Sequence, residues 1–301
     1  MSAQSVDIHF FMGEIMFILF AETRPCAPSL VMATCLSIIA WPFVGSPTAA
    51  SAADMAAPHM TTKASAVPAY QWTGCYVGLN GGGGASGTNF HSTVDPGTHL
   101  VPGDDTEVAN DGTGSANASN FLGGGQAGCN WQTGTLAFGL EGDFDYFRSS
   151  PNFYNDTNTL PSTGDSFVIG QSLTTDYLAT VRPRIGVAAD RNFAYITGGV
   201  AFTHVNYVES YSDSLGAAGL GGVPGAGVAS GSKFLTGWTA GAGWEYAWTD
   251  HWTIRFEYLF AKFGTSSVSG VITDSAGNAN TFHGSADLVV QVARAGLNFK
   301  F

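Results

Sequence analysis

The sequence predicts an all-β fold, an eight-stranded antiparallel up-and-down transmembrane β-barrel. Three observations predict it. Eight segments, about 72–88, 119–132, 136–148, 173–189, 193–208, 234–248, 252–266 and 286–301, set bulky apolar residues against small or polar ones with a period of two, the mark of a strand with two unlike faces. The connections alternate strictly between tight and long, as short periplasmic turns and long extracellular loops do. The chain of 301 residues is only 11% charged and carries 40 glycines. Yet after residue 53 no stretch reaches the roughly 18 uncharged apolar residues of a membrane helix, which leaves a closed barrel as the spanning form.

Residues 1–52 read as an export signal segment. Leu30 to Val44 is apolar, and Ala50-Ser51-Ala52 offers small residues for cleavage before Ala53. Upstream, Asp7, Glu14 and Glu22 outnumber Arg24, the wrong sign for such a segment, so a start downstream of Met1, at Met16, is expected. Cys35 sits in a poor context for lipidation. Residues 53–70 are rich in Ala, Pro and Thr without periodicity and read as a flexible periplasmic lead-in. The barrel takes up 71–301.

The tight connections are Gln132 to Thr135, Ala189 to Asn192 and Trp248 to His251, where Gly, Asp and Asn supply turn chemistry. The long ones run over about 89–118, 149–172, 209–233 and 267–285 and hold most of the surplus acid. Eight strands leave both chain ends on the periplasmic side. The net charge of −12 and pI near 4.7 speak against a nucleic-acid partner.

Alternation alone does not say which face points inward; size does. One face of 234–248 carries Trp238, Trp244, Tyr246 and Trp248, against Gly237, Thr239, Gly241, Gly243 and Glu245 on the other. The segment 252–266 sets Trp252, Ile254, Phe256, Tyr258 and Phe260 against Thr253, Arg255 and Glu257. Eight strands enclose just enough room for side chains, so the bulky face is expected to meet lipid. Trp72, Trp131, Trp238, Trp248 and Trp252 then form aromatic girdles. A soluble periplasmic ligand-binding barrel, with the apolar face inside, is the opposite arrangement.

The same phase puts Glu141, Asp143, Asp145, Glu245 and Glu257 in the lumen with Arg182, Arg184, Arg255, Arg294 and Lys300. Buried charges need partners. Neighbouring strands would pair the 136–148 acids with Arg182 and Arg184, Arg255 with Glu245 or Glu257, and Glu257 with Arg294. The expectation is a bore plugged by charged pairs; a narrow porin-like channel for small solutes is the alternative.

Little points to chemistry. Glu141, Asp143 and Asp145 are better read as one lumen-facing row than as acid–base catalysts. No nucleophile elbow or H-E-x-x-H occurs. Gly81 to Gly84 lacks the Lys and helix of a phosphate loop and reads as a bend or a close approach. His91, His99, His204 and His283 could converge on metal or haem at the loop end, but solvated loop histidines are the simpler reading. No metal or cofactor is expected, and no enzyme activity. Cys26 and Cys35 would leave with the export segment. Cys75 and Cys129, near the periplasmic ends of adjacent strands, fall within disulfide reach; two free thiols are the alternative.

Trp72-Thr-Gly-Cys-Tyr-Val-Gly78, Gly139-Leu-Glu-Gly-Asp143, Arg182-Pro-Arg-Ile-Gly186, Tyr195-Ile-Thr-Gly-Gly-Val-Ala201, Gly237 to Tyr246 and Arg255-Phe-Glu-Tyr258 resemble, in order and spacing, the small outer-membrane β-barrels of the major immunogenic outer-membrane protein family of Gram-negative bacteria. The alternating end, with Phe299 and the final Phe301, resembles the insertion signal that the barrel-assembly machinery reads. The resemblance covers about 70–301. It implies an outer-membrane porin-family barrel related to the outer-membrane protein A type, in contact with outer-membrane lipid. It further implies roles that vary with the loops: envelope integrity, adhesion, surface antigenicity, haemin binding or limited permeability. It carries no catalytic residues, and no loop segment names a ligand.

Overall fold

The computed structural model describes residues 69–301 except 217, 218, 220 and 221. The expected export segment and nearly all of the lead-in lie outside the described residues. The elements are β1 (Gly74–Val94), α1 (Asp104–Asp111), β2 (Gly114–Thr133), β3 (Leu136–Ser149), β4 (Asn152–Thr159), β5 (Ser166–Ala189), β6 (Asn192–Asp213), β7 (Gly225–Ala247), β8 (Trp252–Asp274) and β9 (Ala279–Lys300).

All pairings are antiparallel, and β1 pairs with both β2 and β9, from Tyr76–Lys300 up to Val94–Phe282, which closes the sheet. β3 pairs with the lower part of β5 and β4 with its upper part. These two therefore share one position, and the ring has eight. Pro151, which has no N–H to give a ladder, separates them. The periplasmic hairpins turn tightly, with Gly134 and Asp190 in the left-handed region at φ 62° and 49°.

The strands are longer than the sequence signalled: three of the four long connections are mostly strand, and the first carries α1 between two strand extensions. The reason is solvent. Along β6 the outward residues run apolar from Ala194 to Phe202 and mostly polar from His204 on, Val208 excepted. Above that level the outside is water, so the bulky-outward signal ends while the backbone ladder continues. The interior changes to match. In the upper barrel Phe90, Leu122, Phe147, Phe167, Leu173 and Tyr207 form a buried apolar cluster, which also takes in Val108 of α1. The expectation that small and ionic residues fill the whole interior is thus corrected: it holds at the level of the lipid band only.

Most of the expected girdle sits outside: Trp131, Trp238, Trp248 and Trp252 are 48%, 53%, 65% and 40% exposed. Trp72 is corrected. It is 1% exposed and lies inside the periplasmic end among Tyr70, Phe193, Tyr195 and three alanines. Its indole N–H donates to the Asp190 carbonyl (3.0 Å) and its amide to Gln132 (2.7 Å). Trp72 precedes β1 but keeps its alternation: Tyr70, Trp72 and Tyr76 are buried while Gln71, Thr73 and Cys75 are exposed, so the inward parity runs on to the mouth.

Cys75 and Cys129 stand opposite each other on β1 and β2, their Cα atoms 4.0 Å apart, and are joined as a disulfide. Gly81 to Gly84 lies within β1. A Cβ on Gly82 would come within 2.1 Å of the Ala293 carbonyl, whereas one on Gly83 would meet nothing within 4 Å. Gly82→Val is therefore expected to block closure of β1 onto β9 and abolish the mobility difference between unheated and boiled samples on gels. Gly83→Val should keep it.

Candidate functional site

At the level of the lipid band the bore is filled by five carboxylates and four guanidiniums. Glu141, Asp143, Asp145, Arg182, Arg184, Glu245, Arg255, Glu257 and Arg294 are all buried. Period-two geometry aims them inward from β3, β5, β7, β8 and β9. Arg182 on β5 reaches Glu141 (2.7 Å) and Asp143 (2.8 Å) on its neighbour β3. Arg255 and Arg294 both meet Glu257, at 3.0 and 2.6 Å.

The network also crosses the bore, which neighbour-strand reasoning did not foresee. Arg255 on β8 reaches Glu141 on β3 at 2.5 Å. Arg294 on β9 holds Asp143 (3.2 Å) and Asp145, both on β3. Arg184 on β5 reaches Glu245 on β7 at 2.7 Å, and Arg182 reaches Glu257 at 3.3 Å. Each of the nine side chains joins at least one ion pair.

Neutral groups complete the cluster, and sequence reasoning missed them. The Tyr76 hydroxyl donates to Glu141, that of Tyr195 to Glu257 (2.9 Å) and that of Thr180 to Asp143 (2.6 Å). Asn130 accepts from Arg184 (2.9 Å). The Arg184 guanidinium lies 4.8 Å from the Tyr76 ring centre and 5.0 Å from that of Tyr195, within cation–π range. These residues share inward parity with the charges, which is the signal that could have found them.

Lys300 is corrected: it belongs to the periplasmic mouth. Its ammonium donates to the Gln71 carbonyl and lies 4.2 Å from the Tyr70 ring centre. As the last residue of β9 it emerges where the cylinder ends, out of reach of the carboxylates. Phe299 packs edge-on against Trp252 (5.1 Å) and against Phe301 (5.7 Å), and Phe301 is 70% exposed.

At the other end the loops interlock. His99, before α1, is buried between Asp213 at the top of β6 (2.7 Å) and Asp274 at the top of β8 (3.2 Å). Asp213 also accepts from the Leu215 and Gly225 amides, both at 3.0 Å. Asp104 of α1 accepts from the Ser162 amide at 3.0 Å, and Gln171 donates to the Gly112 carbonyl at 2.6 Å. The first loop therefore touches the other three.

The four histidines do not converge. His91 contacts Thr113, His204 Asp176 and His283 Asp95, while His99 has the two aspartates above. Among the described residues no three His, Cys, Asp or Glu side chains are placed to hold a metal ion. Glu209, which the sequence did not single out, is buried with no ion pair among the described residues. It accepts from Ser92 (2.7 Å), Tyr207 (3.3 Å) and Gln171 (3.3 Å).

A closed antiparallel ring with an apolar, aromatic-edged outer band and an ionic bore defines an integral barrel of the bacterial outer membrane. A family model bears this out: the outer membrane protein beta-barrel domain matches residues 48–301. The chain belongs to that family. It is 31% identical over 258 residues to the 31 kDa outer-membrane immunogenic protein of Brucella melitensis, covering 84% of this chain and 94% of the relative. It is 26% identical to the 25 kDa outer-membrane immunogenic protein of Brucella abortus, covering 81% and 86%. Among solved structures, the outer membrane protein OprG of Pseudomonas aeruginosa aligns at 10% identity, covering 77% of this chain and 99% of that one, with a TM-score of 0.36. An outer-membrane location sets aside the soluble periplasmic barrel.

Removing one member of a buried ionic cluster strands its partners. Arg255→Leu should therefore lower unfolding stability by about 3–5 kcal/mol, measured by urea titration in lipid vesicles. Arg191→Leu, at the exposed pair with Asp250, should cost no more than about 1 kcal/mol.

Asp274 carries a pH signature. Hydrogen bonds from Asn278 first, then from His99 and the Ala276 amide, pull its carboxyl down to about 2. A carboxyl lowered in the fold stabilises fully above its ordinary value near 3.9 and loses that contribution as pH falls toward the folded value. Protection of the Ala276 and Asn278 amides, taken as the exchange rate relative to that of the free peptide at each pH, should be high at pH 4 and fall as pH falls toward 2. Asp274→Asn should flatten that dependence.

Proposed function

We propose that the protein is a structural, surface-presenting outer-membrane barrel whose bore is closed to solute flow. The observation that carries this reading is the ion-pair cluster that spans the bore from β3 to β8 and β9. Two further layers support it. The apolar cluster fills the upper barrel, and Trp72 with Tyr70 and Phe193 lies across the periplasmic end.

The work then falls to the outer surface. Interlocked acidic loops would be held out as a firm platform for adhesion, envelope integrity or antigen display, with a loop ligand still to be identified. The reading includes no catalysis, because Glu141, Asp143 and Asp145 are each engaged by a guanidinium and none is left to act as a general base. Phe299 and Phe301 would serve as the signal that the barrel-assembly machinery reads. The immunogenic character of the Brucella relatives fits a surface role.

Purified protein in planar bilayers should give no resolved single-channel steps. Large, steady conductance would replace this reading with the narrow channel. Haemin titration and pull-down, each with and without loop deletions, test for a loop ligand.

A further inference from the structure

The bore acids are engaged by guanidiniums, but the outer face above the lipid band carries a separate set of groups. There β8, β9 and β1 lie side by side, with Ser269 opposite His283 and His283 opposite Thr93. The Ser269 Oγ lies 2.7 Å from His283 Nδ1, and His283 Nε2 lies 3.1 Å from a carboxylate oxygen of Asp95. A carboxylate can only accept. The proton between His283 and Asp95 therefore sits on Nε2, which leaves the Nδ1 lone pair to accept from the Ser269 hydroxyl. The His283 and Asp95 side chains are 44% and 61% exposed, and Ser269 is exposed, so a solute can reach all three. They come from distant stretches of chain, which is why no local motif announced them.

The backbone adds a donor beside the hydroxyl. The Asp274 amide donates to the Asn278 carbonyl at 3.2 Å, which fixes the alternation along the unbroken β8–β9 ladder from Thr265 to Thr273. Even-numbered β8 residues there bond to β9, and odd-numbered ones, Ser269 among them, turn N–H and C=O toward β7. The Thr265 carbonyl shares that parity and accepts from the Lys233 ammonium of β7 at 3.3 Å. The β7–β8 ladder runs up to Gly237–Phe263 and resumes only at Ala226–Thr273, so the Ser269 amide faces a stretch without a ladder partner. At the upper end of that stretch Val228 and Val271 are 68% and 49% exposed.

We propose that Ser269, His283 and Asp95 form a nucleophilic site that hydrolyses carboxylic esters with a short acyl group. The Ser269 Oγ bonds to the ester carbonyl carbon as its proton passes to His283 Nδ1, and the Ser269 amide donates to the oxyanion that forms. His283 returns the proton to the alkoxy oxygen, the ester C–O bond breaks and the alcohol leaves. Water then attacks the acyl-serine while His283 takes its proton; the carboxylic acid departs and the Ser269 hydroxyl is restored. Asp95 is a positioning residue that holds His283 in the tautomer able to accept. Val228 and Val271 offer apolar surface to an acyl group of a few carbons. The inference goes beyond the structural reading of the barrel and does not depend on whether the bore conducts.

The test is turnover of p-nitrophenyl butyrate by full-length protein folded in detergent micelles. Ser269→Ala should reduce it to the level of buffer, and His283→Gln should lower kcat by about 100-fold or more. Asp95→Asn should lower kcat with KM unchanged. Ser267→Ala, two residues below on the same face, should keep full turnover. All four changes lie on the outer face above the lipid band, and each variant should retain the heat-dependent gel shift of folded protein. A fluorophosphonate should label Ser269 of the unaltered protein, as located by mass spectrometry, and this result decides even where a variant fails to fold. Turnover that survives Ser269→Ala would belong to imidazole alone and overturn the proposal. So would no turnover by the unaltered protein, a rate untouched by His283→Gln, or a label confined to other serines. The p-nitrophenyl palmitate ester should react more slowly than the butyrate; the reverse order would overturn the short-acyl assignment.

Discussion

Hydrocarbon offers a peptide group nothing to bond with, and the closure of β1 onto β9 answers that constraint. From it the rest follows. A ring of eight positions is narrow, so what faces inward must fit and must be satisfied there. Gly82 is bare because the backbone of β9 lies where its side chain would go. The charges that enter this space cannot reach bulk water, so they meet across it: Arg255 with Glu141, Arg294 with Asp143 and Asp145. Replacing such a cluster with apolar side chains can be neutral in energy. Its particular property is direction. Guanidiniums of three strands converge on carboxylates of β3, β7 and β8, and only one register satisfies them together.

The cylinder also runs through two solvents. Within the lipid band its outer face is aromatic and aliphatic while the bore is ionic. Above the band the outer face turns mostly polar and the bore mostly apolar, with Phe90, Phe147, Phe167 and Leu173 packed inside. Strand geometry is the same at both levels. What changes is where water stands, and the hydrophobic effect moves the bulky side chains accordingly. One strand, β6, records the exchange within two residues, between Phe202 and His204.

This exchange explains what could be read in the sequence. The eight-position ring, the tight turns, the outward Trp131, Trp238, Trp248 and Trp252 and the inward charges all rest on one period-two phase, which the segments state clearly where lipid is outside. The upper halves of the strands were hidden because that phase loses its contrast in water, and β4 and α1 lie wholly in that region. Trp72 was misplaced because its position by a periplasmic turn outweighed its parity, which it shares with the inward Tyr76, and Lys300 because parity fixes direction but not height: it stands opposite Tyr76 where the cylinder ends. Cross-bore pairs such as Arg184–Glu245 were not legible at all. They depend on strand tilt and stagger, which set the height of each side chain and are not written in any one strand.

The interlocked loops have a consequence for how the cell surface is seen by other molecules. His99, Asp213 and Asp274 come from three separate connections, yet they meet in one buried contact. What an antibody or receptor meets is therefore a mosaic, with neighbouring patches drawn from distant stretches of chain. A short synthetic fragment of any one connection would expose side chains that the intact molecule turns inward, and would lack the neighbours that complete the natural contour.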